Sequence, residues 1–183
     1  MGTEIERKFV VPREHHHLFL EREGGTTMTQ AYLNDDPDRT VRIRIARTGN
    51  LEVAKMTVKG RPTDGGASRS EWEWPMPVEA AREMVGRLDP PSITKTRHLV
   101  RHGDAVWEVD VVRVNTVANR PPTMWQYLVV AEFEAPTLEA VNGVELPPWV
   151  GREVTGDPSF AMSTLTTVAA RDLAWRKAYQ ENR

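Results

Sequence analysis

Charged residues recur at every second position in one strand-like stretch of this chain after another. Side chains i and i+2 of an extended strand share a face. "TEIERKFVV" (3–11) therefore aligns Glu4, Glu6 and Lys8, with Ile5 opposite the acids. "TVRIRIAR" (40–47) sets Arg42 and Arg44 against Val41, Ile43 and Ile45. "AKMTVKG" (54–60) sets Lys55, Thr57 and Lys59 against Ala54, Met56 and Val58, and "SRSEWEWP" (68–75) sets Arg69, Glu71 and Glu73 against Trp72 and Trp74. The pattern returns as Lys95 and Arg97 in "ITKTRHL" (93–99), Glu108 and Asp110 in "VWEVDVV" (106–112), and Glu132 and Glu134 in "YLVVAEFEA" (127–135). A single strand of this kind describes a sheet with one wet face. Repeated through the chain, with Trp72, Trp74, Trp107 and Phe133 on the other side asking for cover, it describes an apolar outer face under helices and a charged inner face. Antiparallel strands that close on themselves have no edges, and their inner face becomes a lumen.

Turn residues bound eight β-like runs, at about 3–11, 27–34, 39–47, 51–59, 68–76, 94–102, 105–114 and 126–135. "TGN" (48–50) and "HGD" (102–104) read as hairpin turns, and "DGGAS" (64–68) as a loop. Leu51 and Val53 share the parity of Lys55, so their strand either begins outside the polar lumen or carries a bulge. Helical patterns fall at 13–23 (weakly), at 78–88, between Thr137 and Gly143, and at 161–181, where Leu165, Val168, Ala169 and Leu173 share a face. The expected fold is α+β: an eight-stranded antiparallel closed β-barrel, a tunnel, with helices packed outside. Residues 1–183 read as one domain, with 161–181 as its C-terminal helix. That helix, with Trp175 and Tyr179, is expected on the chain's own barrel, a homodimer contact being the alternative.

A lumen of charges is stable only if they are paired, hydrated or liganded. The candidate acids suit hard divalent cations such as Mg²⁺ or Mn²⁺, which prefer oxygen ligands. The candidate bases suit phosphate oxygens, which Arg can clamp in bidentate fashion. Together they describe a site for a metal-bound polyphosphate. The two signs nearly balance, consistent with a net charge of only −2 for the whole chain, which argues against nucleic acid or a membrane surface as partner. With no cysteine there can be no disulfide or thiolate metal site. No early run suits a signal peptide or membrane span, and a cytoplasmic location is expected. "HHH" (15–17) looks like a metal cluster, but consecutive helical residues splay apart, so a surface helix is the better reading. "RPPT" (120–123) reads as a proline-stiffened loop.

"EIERK" (4–8) resembles the N-terminal ExExK signature of the CYTH superfamily, the triphosphate tunnel metalloenzymes. The similarity continues in order through "QAYL" (30–33), "VRIR" (41–44), "MTVKG" (56–60), "RSEWE" (69–73), "KTRH" (95–98), "WEVD" (107–110), "AEFE" (131–134) and "REVTGD" (152–157). The resemblance implies metal-dependent chemistry on a small triphosphate substrate: hydrolysis of inorganic triphosphate first, then cyclisation of ATP or hydrolysis of thiamine triphosphate. A non-catalytic polyphosphate sensor is the reading from another class. Glu4, Glu6, Glu132 and Glu134 match the family's metal-binding carboxylates, and Lys8, Arg42, Arg44, Lys59, Lys95 and Arg97 its phosphate-binding bases. Glu71, Glu73 and Asp110 match further tunnel acids and join Lys8 as catalytic candidates. Lys55 and Arg69 are less standard lumen positions. The similarity breaks at "SFAMSTL" (159–165), where the family often has Tyr and Asn and this chain has Phe160 and Met162. The closure of the tunnel is therefore not carried over.

Overall fold

The computed structural model describes residues 2–36, 38–114 and 127–180; the "RPPT" segment lies outside them. Eight strands form the barrel: β1 (Gly2–Val10), β2 (Thr26–Tyr32), β3 (Thr40–Thr48), β4 (Leu51–Lys59), β5 (Ser68–Met76), β6 (Ser92–His102), β7 (Ala105–Arg113) and β8 (Tyr127–Glu134). Their order around the closed barrel is β1-β5-β4-β3-β2-β6-β7-β8, antiparallel throughout. β1 makes the closure by changing partner along its length. Residues 2–5 pair with β5, and residues 6–10 pair with β8. The β3–β4 register runs unbroken from Thr40↔Lys59 to Thr48↔Leu51, so β4 has no bulge. Leu51 and Val53 instead stand at the exposed end of the lumen face, 67% and 47% exposed.

Among the described residues there are four α-helices: α1 (His17–Leu20), α2 (Val78–Leu88), α3 (Leu138–Asn142) and α4 (Val168–Tyr179). α2 packs its apolar stripe on β3 and β4, where Ala81, Val85 and Met84 meet Ile43, Ile45, Ala54 and Met56. α3 is capped as its sequence suggests: Thr137 Oγ1 accepts a hydrogen bond from Ala140 N. The helix expected over 161–181 is shorter. Turns of 3-10 helix occupy 158–160 and 164–166, and α4 starts only after Thr167, whose extended backbone and hydroxyl cap it through Ala170 N. The β-branched, hydroxyl-bearing run Thr164, Thr166, Thr167 favours caps and turns over helix interior. The inward face of α4 also differs from the expected one. Val168 and Leu173 are about half exposed, while Ala174, Trp175, Ala178 and Tyr179 pack on the barrel.

The outer core lies on β1, β7 and β8, where Phe9, Trp107, Val109, Val129 and Ala131 pack beneath Phe19 and Trp149. Trp107 is fully buried and meets Phe9, Phe133 and Trp149 ring to ring. The cover expected for Trp74 is absent: it is 51% exposed, because α2 sits over β3 and β4. The triple histidine is not a uniform surface feature either. His16 is fully buried, with Nε2 3.1 Å from the Val11 carbonyl and 3.0 Å from the Tyr179 hydroxyl.

The lumen face reads in three zones. Lys8 is followed by Val10, Asp110 by Val112, and Glu132 is preceded by Val130 and Leu128, while Ile93 precedes Lys95. These apolar lumen residues join Tyr32, Phe160, Met162, Leu165 and Ala174 in one buried cluster. One end of the barrel is therefore an apolar plug under α4. The charged belt follows, and then a mouth bordered by Val53, Leu99 and Val106, all exposed.

Candidate active site

The belt encloses a cavity of about 280 Å³ lined by seven carboxylates and seven cations. That is near the lower edge of the roughly 300–1,000 Å³ usual for small-molecule sites and suits a compact, highly charged ligand. Strand order separates the charges. β7, β8, β1 and β5 are neighbours and carry every lining acid: Glu108, Glu132, Glu134, Glu4, Glu6, Glu71 and Glu73. β4, β3, β2 and β6 are the other four neighbours. They supply Lys59, Arg42, Arg44, Lys95 and Arg97, with Gln30 and Tyr32 from β2. Lys8 and Arg69 are the two cations on the acid wall. Closing the sheet thus brings an acid wall and a base wall face to face.

The walls neutralise each other in pairs. Lys59 Nζ donates to both Glu4 oxygens at 2.5 and 2.6 Å, and Arg69 Nε donates to Glu4 at 2.8 Å. Burial opposes ionisation of Glu4, but these two cations win and hold its pKa down to about 2. Lys8 sits 2.8 Å from Glu132. Burial again works against both charges, yet their pairing pushes Lys8 up, and with help from Arg97 holds Glu132 well below the usual carboxylate range. Arg97 bridges Asp110 and Glu132, at 2.6 to 2.7 Å, and also pairs with Glu108. Lys95 Nζ donates to Asp110 at 2.5 Å. Here burial outweighs the attraction and brings Lys95 down to about 8. Glu73 accepts from Arg44, Lys55 and Thr57, each at 2.9 Å.

Two acids are left short of positive charge. Glu6 and Glu134 face each other across β1 and β8. Glu6 has only loose cation contacts, 3.7 Å to Lys8 and 4.0 Å to Arg69, and among the described residues no cation lies within ion-pair distance of Glu134. Both are pushed up, first by burial and then by neighbouring carboxylates: Glu132 for Glu6, Glu4 and Glu6 for Glu134. The buried Arg42 Nε has no hydrogen-bond partner among the described residues. No three acidic or histidine side chains among the described residues already converge on a metal position, and cations hold the oxygens of Glu4 and Glu132. The donor set nevertheless fits a hard dication. It is all oxygen, and its excess negative potential is concentrated at Glu6 and Glu134.

Glu4, Glu6, Lys8, Arg42, Arg44, Lys59, Glu71, Glu73, Lys95, Arg97, Glu132 and Glu134 all line one cavity. Asp110 does not: it is fully buried behind Lys95 and Arg97. Arg69, marked as a less standard position, lines the cavity beside Glu4, while Lys55 stands at the mouth with its side chain 43% exposed. Sequence reasoning placed Gln30 and Tyr32 only within the "QAYL" match; both line the cavity, and their side chains bond to each other at 3.0 Å. Their alternate positions in "QAYL" were the available signal. The same reasoning marked "SFAMSTL" only as a break in the similarity; Ala161, Met162 and Ser163 of that segment reach the cavity from outside the barrel, where no strand periodicity could place them.

The fold is a closed antiparallel barrel with a charged lumen, and the CYTH domain model matches residues 2–145: the chain belongs to the CYTH domain family. Over 166 residues it is 36% identical to the inorganic triphosphatase of Acetivibrio thermocellus, covering 90% of this chain and 94% of that protein. It is 28% identical over 165 residues to the inorganic triphosphatase of Nitrosomonas europaea, covering 89% of this chain and 96% of the relative. A solved crystal structure of an inorganic triphosphatase superposes with a TM-score of 0.54 at 26% identity, over 91% of this chain and 95% of the other. Among the described residues no helix is long and apolar enough to cross a membrane.

Proposed function

We propose that this protein hydrolyses inorganic triphosphate to diphosphate and phosphate within the charged belt, with Mg²⁺ or Mn²⁺ as cofactor. The observation that carries the reading is the division of the lumen into an acid wall and a base wall, in a chain 36% identical to an inorganic triphosphatase. Arg42, Arg44, Lys59, Lys95 and Arg97 bind the phosphate oxygens. Lys8 and Arg97, both pushed up, keep their charge throughout and stabilise the negative charge of the transferring group. Glu4, Glu6, Glu132 and Glu134 would hold the divalent cation, which when bound neutralises phosphate charge and lowers the pKa of water. Lys59 cannot hold Glu4 and a phosphate equally well, nor can Lys8 hold Glu132 and a phosphate. The belt's ion pairs must therefore exchange partners when cation and anion bind. Asp110 acts as a positioning residue, fixing Lys95 and Arg97 from behind. Tyr32 is the one aromatic side chain among the described cavity residues, and its hydroxyl is engaged by Gln30, which favours an inorganic substrate over one carrying a base.

Glu134→Gln is the test with the cleanest background, because no cation is orphaned when that charge is removed. Phosphate release from triphosphate should fall by about a hundredfold or more, with the circular dichroism spectrum unchanged. Near-normal turnover at low metal would refute the assignment.

A further inference from the structure

We infer that Met162 sets the inner end of the phosphate site and so limits the length of phosphate chain the belt accepts. The inference rests on the triphosphatase reading and adds a specificity determinant to it. The side walls of the cavity are strands, so a residue that lines it from outside the barrel can only close an end. Ala161, Met162 and Ser163 are such residues. Met162 is 8% exposed and belongs to the same cluster as Val10, Ile93, Val112 and Leu165, the apolar plug. The segment is anchored on both sides by buried Phe160 and Leu165, and it is tied to α4 by a 2.7 Å hydrogen bond from Lys177 Nζ to Ser159 Oγ.

A second hollow lies beyond the stopper, sharing Tyr32, Thr40, Ala161 and Ser163 with the first as a common wall. Its other lining includes Asp35, Asp36 and Asp89, so a phosphate chain pushed through the wall would meet carboxylates. At the opposite end Val53, Leu99 and Val106 offer a phosphate nothing, and Lys55, which stands there beside Arg44 and Arg97, is held by Glu73 at 2.9 Å. The positive charge available to a polyanion therefore thins toward the mouth and stops at the inner end, where Met162 is the bound. Trimming it to alanine removes Cγ, Sδ and Cε from that end of the cavity, with the acidic hollow still blocking further passage.

The experiment is calorimetric titration of triphosphate and tetraphosphate into wild type, Met162→Ala and Met162→Leu, with melting temperatures and phosphate release measured on the same samples. Wild type should bind triphosphate more tightly than tetraphosphate. Met162→Ala should shift that ratio toward tetraphosphate by about tenfold, a usual effect of changing pocket depth by a small group. Met162→Leu conserves volume and should stay within about twofold of wild type. An unchanged ratio in folded Met162→Ala overturns the inference, as does an equal shift in both variants. Absence of phosphate release from wild type would overturn the triphosphatase reading, while the binding ratios would still decide the role of Met162.

Discussion

Lys95 has its ammonium 2.5 Å from Asp110 and Arg97 as a like-charged neighbour, and burial brings its pKa down to about 8. A lysine with a lowered pKa is a cation below that value and neutral above it, so its pull on phosphate is present at pH 7 and disappears as the pH rises through 8. The KM for triphosphate should therefore rise by about tenfold between pH 7 and pH 9.5, the effect of losing roughly one charge-assisted hydrogen bond. Lys95→Arg should flatten that rise, because a guanidinium does not titrate there. A wild-type KM that stays level across the range would show that Lys95 keeps its proton or does not touch the substrate. The inward direction of Lys95 was readable from its alternation with Thr94 and Thr96. Its partner was not. That Asp110 lies opposite Arg97 and braces both cations depends on the β6–β7 register. The same holds for Glu134, whose shortage of cations follows from which strands neighbour β8.

At the scale of elements, the strands and the helices at 78–88 and between Thr137 and Gly143 were legible, and the C-terminal helix was not. β4 and β5 have the boundaries that their alternation and turn residues predict, because a pleated strand with one charged face has a single register that keeps ions out of the apolar core. α4 was misread because its partner surface is the end of a barrel, which no periodicity reveals. What docks it is Tyr179. Its hydroxyl donates to the Val11 carbonyl at 3.2 Å, accepts from Val129 N at 3.2 Å, and lies 3.0 Å from His16. The ring meets that of Trp175, and Arg13 stacks over both. Tyr179→Phe keeps the ring but leaves these buried groups short of a partner, and should lower stability in urea by about 1–3 kcal/mol. An unchanged midpoint would mean that α4 is not held to the barrel by this contact.

For the whole molecule, the near-zero net charge and the crowded lumen have one explanation. Two walls of opposite sign cancel in the total, although strand order keeps them apart. The sequence displayed both sets of charges, but only closure shows that the acids occupy four adjacent strands and all the lining bases except Lys8 and Arg69 the other four. Closure also shows that the lumen is blind, since the plug comes from alternate apolar residues past the belt and from turns that carry no pattern. The division of the lumen is the central claim, and diffraction can test it directly. Crystals soaked with Mn²⁺ and a non-hydrolysable triphosphate analogue, measured at the manganese absorption edge, should show an anomalous peak among Glu4, Glu6, Glu132 and Glu134. The phosphate chain should lie along Arg42, Arg44, Lys59, Lys95 and Arg97. Manganese found only on the outer surface, or a phosphate chain lying outside the barrel, would contradict the account.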